Sequence, residues 1–241
     1  MPLTARDLLQ VWEWGDGRHP VDQALAILRV AFPEKTWEEL TTLSLSQRDG
    51  LLMSLRMHTF GSRLEGFAAC PQCGEPLEFG LETSTLPKAN PMTGEQTLTV
   101  EGYEIHFRAP NTLDLAAITQ QASVEAARAL LVQRIVTRVR RDGTDSPLET
   151  LPAQCIEALE EQLIVRDPLL DLQLALECPA CNHHWSVIFD ILTFFWTEIA
   201  AQARRLLGEV HTLARAYGWH ERDILALSDR RRKMYLQMVM A

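Results

Sequence analysis

Two short Cys-Pro-x-Cys segments constrain this chain more than any other feature. The first cysteine turn is Cys70-Pro71-Gln72-Cys73 and the second is Cys178-Pro179-Ala180-Cys181. In such a turn backbone amides point at the sulfur atoms, which lowers the thiol pKa and favours the metal-binding thiolate. Each turn supplies two ligands, and a structural zinc ion takes four in a tetrahedron. We therefore expect one structural zinc ion held by Cys70, Cys73, Cys178 and Cys181.

The two turns are far apart, since 104 residues lie between Cys73 and Cys178. This separation is long for a zinc ribbon. It is tolerable if the intervening residues form an insertion, because the cost of loop closure rises slowly with length. A redox dithiol is an alternative, because a lone Cys-x-x-Cys also occurs in thioredoxin-like proteins, and a metal-free remnant is a third. Against redox chemistry, neither turn lies at a convincing junction between a strand and a helix.

Three further residues are of metal-binding types, but we expect none of them to be a metal ligand. His183 and His184 follow the second cysteine turn, and we interpret them as polar residues of a hairpin turn because four thiolates already complete a tetrahedron. Cys155 lies on the apolar side of a predicted helix, which indicates a small buried hydrophobic residue.

Composition limits the class of protein. The 241 residues are 46% hydrophobic and 23% charged, enough apolar surface to fold into one or two domains. The net charge of −9 makes nucleic acid and anionic lipid poor partners. No apolar run is long enough for a membrane span, and the N-terminus lacks the pattern of a secretory signal. We expect a cytoplasmic protein without membrane contact.

Periodicity predicts a mainly helical α+β fold with a small zinc-ribbon-like β element. Helices are expected after Thr4, over Ala24–Leu28, after the capping-box spacing at Thr36, and after a cap at Ser46. Later helices are expected over Val124–Arg140, near Leu159, from Thr197 to Tyr217, over Asp223–Leu227, and after Ser228. Strands are expected at Leu77–Glu82, at a hairpin turning at Glu101-Gly102, and on both sides of the second cysteine turn.

These patterns suggest three regions. Residues 1–66 form an N-terminal helical region, and residues 67–190 form a split zinc ribbon with an inserted hairpin and helices. Residues 191–241 form a C-terminal helical tail. The run Ile191–Trp196 is the most apolar stretch; it marks a partner site if exposed, and burial under the C-terminal helix is the alternative that we favour.

Nothing in the sequence indicates catalysis. The chain has no Gly-x-x-x-x-Gly-Lys phosphate loop, no Gly-x-Gly-x-x-Gly and no Gly-x-Ser-x-Gly. A catalytic zinc needs an open coordination position, which four cysteines would fill. We expect no catalytic residues, no organic cofactor and no enzyme activity.

Several segments together resemble a known family. The C-terminal ones are Phe189-Asp190-Ile191, Phe195–Ile199, Ala203–Leu207, Val210–Ser228 and Arg231–Leu236; upstream are Phe60–Glu65, Arg108–Pro110, Asp114-Leu115 and Asp167-Pro168. In these segments the chain resembles the baseplate hub assembly chaperones of T-even-type phages, whose relatives lie in gene clusters for contractile tails and contractile injection systems. One departure is Asn182 where a glycine is expected, and asparagine also tolerates positive φ. The family resemblance does not imply the cysteine pairs, so the prediction of a zinc ion rests on this sequence alone.

The resemblance implies a non-enzymatic chaperone that contacts hub or wedge proteins in the bacterial cytoplasm and is absent from the finished particle. As possible partner anchors we name Trp196, Tyr217 and Trp219, because interface energy concentrates in aromatic residues. Two rival functions stay open. One is a permanent structural component of the baseplate. The other is a zinc-ribbon regulator that contacts nucleic acid through Arg230–Lys233, although nearby acidic residues favour a charged helix face there.

Overall fold

The chain begins with four helices. In the computed structural model, which describes residues 2–88 and 90–240, they are α1 (Ala5–Gly15), α2 (Pro20–Ala31), α3 (Trp37–Thr42) and α4 (Leu45–Phe60). The sequence predictions of α1 and α3 are confirmed at their first residues, where Thr4 pairs with Asp7 and Thr36 with Glu39 in capping boxes.

The expected helix cap at Ser46 is wrong. Ser44 caps α4, because its hydroxyl accepts from the Gln47 amide while the Gln47 side chain accepts from the Ser44 amide. This reciprocal pair satisfies two amides that a cap at Ser46 would leave free. Ser46 itself is buried within the first turn.

Two antiparallel hairpins carry the cysteine turns. The first joins β1 (Arg63–Ala69) to β2 (Pro76–Glu82), and the second joins β7 (Gln173–Glu177) to β8 (His184–Ile188). The strands at β2, β7 and β8 are confirmed, whereas β1 was not predicted. Gly66 weakens the strand pattern of β1, and the Phe79 ring opposite it on β2 fills the space that a side chain would take.

A four-stranded antiparallel sheet and three helices are inserted between the hairpins. The strands are β3 (Gln96–Val100), β4 (Tyr103–Phe107), β5 (Val136–Arg141) and β6 (Thr144–Asp145), in the order β3-β4-β5-β6; the helices are α5 (Thr112–Ile118), α6 (Val124–Ile135) and α7 (Ala153–Arg166). The predicted β3–β4 hairpin is confirmed. Its turn residues Glu101 and Gly102 have φ of 51° and 76°, which suits a two-residue hairpin.

The helix expected over Val124–Arg140 is wrong in its last five residues. The helix ends at Ile135, and the chain continues directly as β5, which pairs with β4. β-branched residues at 136, 137 and 139 favour a strand. The pairing with β4 overrides the helical spacing of the apolar positions.

The C-terminal part consists of α8 (Ile191–Tyr217), α9 (Glu221–Leu225) and α10 (Asp229–Met240). The predicted end of α8 at Gly218 is confirmed, with φ of 67°. Its start is six residues earlier than the expected Thr197, because the Asp190 carboxylate accepts from the Leu192 amide and caps the helix. The apolar run that begins at Ile191 therefore forms the first turns of α8, where Ile191, Leu192 and Phe195 are buried.

The predicted mixed α+β fold is confirmed, and its main core joins distant parts of the chain. Buried residues of α1, α2 and α4 pack with Leu64 of β1 and with the first half of α8. The inserted sheet packs on α6 and α7 in clusters of its own. A small cluster of Leu213, Ile224 and Leu236 holds α9 and α10 against the end of α8.

Candidate metal centre

The first cysteine turn closes the β1–β2 hairpin. The Cys70 amide donates to the Glu75 carbonyl, and the Gly74 amide donates to the Cys70 carbonyl, each at 2.9 Å. Gly74 has φ of 77°, a backbone conformation that glycine adopts without strain. These two hydrogen bonds fix Cys70 and Cys73 on one tight turn.

The second cysteine turn repeats this arrangement. The Cys178 amide donates to the His183 carbonyl, and the Asn182 amide donates to the Cys178 carbonyl, again at 2.9 Å. Asn182, at the position equivalent to Gly74, has φ of 54°. The expectation that asparagine accommodates this turn is therefore confirmed.

The two hairpins bring the four predicted sulfur atoms together. The Sγ atoms of Cys70 and Cys181 are 3.6 Å apart, as are those of Cys73 and Cys178, and all four lie within 4.8 Å of one another. Zinc–sulfur bonds of about 2.3 Å give sulfur–sulfur separations of about 3.8 Å in a regular tetrahedron. The geometry therefore fits a four-thiolate metal site contributed equally by the two turns.

The electrostatics of the cluster also suit a cation. Burial raises the pKa of the Cys70 thiol, but the amides of Cys73 and Gln72 and the side chains of Cys181 and Cys73 together outweigh burial, and the pKa falls to about 7. At Cys181 the His183 amide lowers the pKa, yet burial and the three neighbouring sulfurs raise it to about 12. One cysteine of the cluster thus ionises readily. Ionisation of further cysteines beside it is disfavoured unless a bound cation neutralises their charge.

Each cysteine turn lies between two strands of a hairpin, and its sulfurs face those of the other turn rather than only each other. This arrangement favours the metal interpretation over a redox dithiol. Within the described residues, His183 and His184 lie outside the four-sulfur group, and His183 stacks on Trp185 with ring centroids 6.0 Å apart. Cys155 is completely buried in the core of the inserted sheet, as predicted.

The three aromatic residues named as partner anchors lie in two different places. Trp196 is half-buried on α8, with its indole packed against Gly15 of α1. Tyr217 and Trp219 stack with centroids 4.7 Å apart, and Tyr235 of α10 meets Trp219 edge-on at 4.9 Å. We call Tyr217, Trp219 and Tyr235 the aromatic tail cluster. The sequence analysis did not name Tyr235 as a partner anchor, although its place in the repeating apolar pattern of the tail was a signal.

Two side chains of the basic run Arg230–Lys233 form ion pairs within the protein. Arg232 is buried, and its guanidinium pairs with Glu209 at 2.5 Å and with Asp229 at 3.3 Å. The Lys233 ammonium lies 2.8 Å from Asp229. Arg232 therefore holds α10 against α8 through Glu209, whereas Lys233 pairs within α10. With two of the four cations paired internally, only a small positive surface is left for phosphate groups.

Comparison with known proteins adds one finding. A family model described as T4 bacteriophage base plate protein matches residues 16–196, a range that includes both cysteine turns. Searches of curated proteins and of solved structures found no match. In the described part of the chain, no helix combines the length and apolar character needed to cross a membrane.

Proposed function

The chain belongs to the family of the T4 bacteriophage base plate protein, and from that premise we propose that it is a non-enzymatic assembly factor for the baseplate hub. In this proposal it acts as a chaperone for a contractile phage tail or contractile injection system, in the cytoplasm of the bacterial cell. It binds hub or wedge proteins and leaves before the particle is complete. The family match over residues 16–196 is the observation that carries the proposal.

We further propose that the cysteine cluster holds a structural zinc ion. Four sulfur ligands fill a tetrahedral shell and leave no position for substrate or water. The ion would tie the β1–β2 hairpin, which follows α4, to the β7–β8 hairpin, which precedes α8. The main core already packs the N-terminal helices against α8. The role of the ion would therefore be to hold the two hairpins together where they leave that core, since small two-stranded sheets are marginal alone.

The aromatic tail cluster is the proposed partner surface of the C-terminal region. Tyr217 is 38% exposed and stacks on Trp219, so the cluster presents rigid aromatic area at low entropic cost. Trp196 is kept as a third anchor through the part of its ring that the core leaves accessible.

Mass spectrometry on two samples from the producing strain tests the proposed function. One sample is a pull-down of the tagged protein from cells assembling particles, and the other is the purified particle. We expect hub or wedge proteins in the pull-down and no copy of this chain in the particle. A fixed stoichiometry of this chain in the particle would make it a structural baseplate component and would contradict the chaperone proposal.

A further inference from the structure

Two tryptophans of the N-terminal helices remain exposed. Trp14, near the end of α1, is 50% exposed, and Trp37, the first residue of α3, is 58% exposed. Tryptophan is highly buried on average in folded proteins. Where its ring stays accessible, it is enriched among the residues that dominate binding energy at interfaces.

Both rings line the same cleft. The cleft has a volume of about 280 Å³, and its other lining residues are Arg18, Asp22, Ala26 and Arg29. The last three lie on one face of α2, since their spacings of four and three residues match the helical repeat. Ala26, which is small and buried, lines the cleft together with the two tryptophans.

The walls of this Trp14–Trp37 cleft are held in place by internal hydrogen bonds. Arg29 donates from Nη1 to the carbonyls of Pro33 at 3.3 Å and Lys35 at 2.8 Å, which fixes the turn that leads into Trp37. On the opposite side, the Gln23 side chain donates to the Gly15 carbonyl at 3.2 Å, next to Trp14. A cleft held in this way loses little conformational entropy when a ligand binds.

The side chains that line the cleft carry a net positive charge, whereas the chain as a whole is negative. Two arginines and one aspartate line the cleft, whereas the whole molecule carries −9. Arg29 donates to the carbonyls of Pro33 and Lys35, whereas the side chain of Arg18 is exposed to solvent. Guanidinium groups recognise carboxylates through paired, charge-assisted hydrogen bonds.

We propose that the Trp14–Trp37 cleft binds an acidic segment of a baseplate subunit. An apolar side chain of that segment would enter between the two indoles, and a flanking Asp or Glu would pair with Arg18. This inference rests on the proposed function and adds a second contact surface to it, remote in sequence from the aromatic tail cluster. A second copy of this chain fits less well, because a two-fold contact of the cleft with itself would bring four arginines together against only two aspartates.

Quantitative pull-down of the full-length tagged chain, co-expressed with the baseplate proteins of its own gene cluster, tests the cleft. We expect the double variant Trp14→Ala/Trp37→Ala to recover a baseplate subunit at least about tenfold less than the wild type. Arg18→Glu should also lose recovery, whereas Arg18→Lys, which keeps the charge but not the paired donors, should lose less of it. Phe67→Ala is the matched control, because Phe67 is an aromatic residue 78% exposed on β1 and does not line the cleft.

The outcomes separate the two proposals. If the wild type and the double variant recover the same baseplate subunit equally well, the cleft proposal is overturned and the proposed function stands. Failure of the wild type to recover any baseplate protein would overturn the proposed function. Circular dichroism and thermal melting of each variant show whether it is folded, and the charge pair Arg18→Glu and Arg18→Lys tests the cleft without removing an aromatic ring.

A photo-crosslinking phenylalanine analogue incorporated at position 37 identifies the occupant directly. We expect a crosslinked peptide of a baseplate subunit that contains an apolar residue beside Asp or Glu. A crosslink to another copy of this chain, or to a peptide without carboxylates, would overturn the proposal.

Discussion

Arg56 is a charged side chain that the fold buries almost completely, with 2% of its surface exposed. Its guanidinium donates to Glu198 on α8 at 2.8 Å through Nε, and to the carbonyls of Gly61 and Arg63 at 2.7 Å. One residue therefore joins the end of α4, the start of β1 and the long helix. A buried charge of this kind is tolerated because every donor group has a partner.

Replacement of Arg56 by methionine removes these donors while keeping most of the aliphatic stem. We expect a loss of about 3 kcal/mol in the free energy of unfolding, because a carboxylate and two carbonyls lose their partner. Urea denaturation measures it. Arg63→Met is the control, since Arg63 is exposed and its ion pair with Glu65 spans 3.4 Å; a similar loss in both variants would contradict this account.

Asp114 is another residue whose charge is used inside the fold. It is completely buried and accepts from Arg108 at 2.6 and 2.9 Å and from Arg134 at 2.8 Å. Burial alone raises the pKa of this carboxyl, but the bonds from Arg108, the Asn111 amide and Arg134 hold the pKa below its ordinary value.

A carboxyl with a lowered folded pKa stabilises the protein above its unfolded pKa of about 4, and this contribution is lost as the pH falls through the folded pKa. We expect Asp114→Asn to be about 2 kcal/mol less stable than the wild type at pH 7, with the difference shrinking below about pH 4. Urea melts across this range measure it, and a difference that is independent of pH would contradict the argument.

Asp167 provides a control in which the shift of the carboxyl pKa has the opposite sign. Burial raises the pKa of its carboxyl, so its ionised form opposes folding as the pH rises above the unfolded value. We expect Asp167→Asn to equal or exceed the wild type in stability at pH 7, and to lose that advantage in acid.

At the scale of elements, the contact between α1 and α8 depends on a glycine. A Cβ placed on Gly15 would collide with the ring of Trp196, whereas a Cβ on Gly208, in the middle of α8, would meet nothing within 4 Å. The two helices can therefore approach closely only where the first has no side chain.

Two Gly→Ala substitutions test this close approach with the same chemical change. We expect Gly15→Ala to destabilise the protein by about 1–3 kcal/mol, because Trp196 must move. Gly208→Ala should be neutral or stabilise it by up to about 1 kcal/mol, since alanine favours a helix interior. Thermal melts report both, and equal effects at the two positions would refute the packing explanation.

The two cysteine hairpins are the elements on which the zinc proposal depends. We expect one zinc ion per chain by elemental analysis, and a Tm lower by about 10 °C after removal by a strong chelator, because metal binding stabilises only the folded cluster. Cys73→Ser and Cys181→Ser should lose the ion, whereas Cys155→Ala should retain it, since Cys155 lies in another core. An unchanged melt in chelator would exclude a structural metal.

At the scale of the whole molecule, the hairpins and the inserted sheet should respond differently to metal removal. The sheet has its own buried clusters with α6 and α7, whereas the hairpins meet at the sulfur cluster. Hydrogen exchange after chelation should therefore accelerate in β1, β2, β7 and β8 and stay slow in β4 and β5. Equal acceleration everywhere would indicate a single cooperative unit instead.

The division into regions 1–66, 67–190 and 191–241 stays a prediction, and the main core gives it a physical context. Residues from the first and the last region share that core, in which Leu9 and Leu28 are buried together with Phe195 and Ile199. The first and third regions thus share one core, whereas the inserted sheet has buried clusters of its own with α6 and α7.

The sequence alone determined the features that depend on neighbours a few residues apart. Capping boxes at Thr4 and Thr36, the hairpin turn at Glu101-Gly102 and both cysteine turns follow from local hydrogen bonds and backbone conformations. The family resemblance is also a property of the sequence, and the family match agrees with it.

Only the tertiary structure decided the features that join distant residues. Val136–Arg141 became a strand because β4 pairs with it, and β1 formed because β2 pairs with it along its whole length, with Phe79 over Gly66. The sulfur cluster joins two turns with 104 residues between them, and the Trp14–Trp37 cleft needs three helices at once. Such contacts are selected by packing across the whole chain, whose free energy is not contained in any short segment.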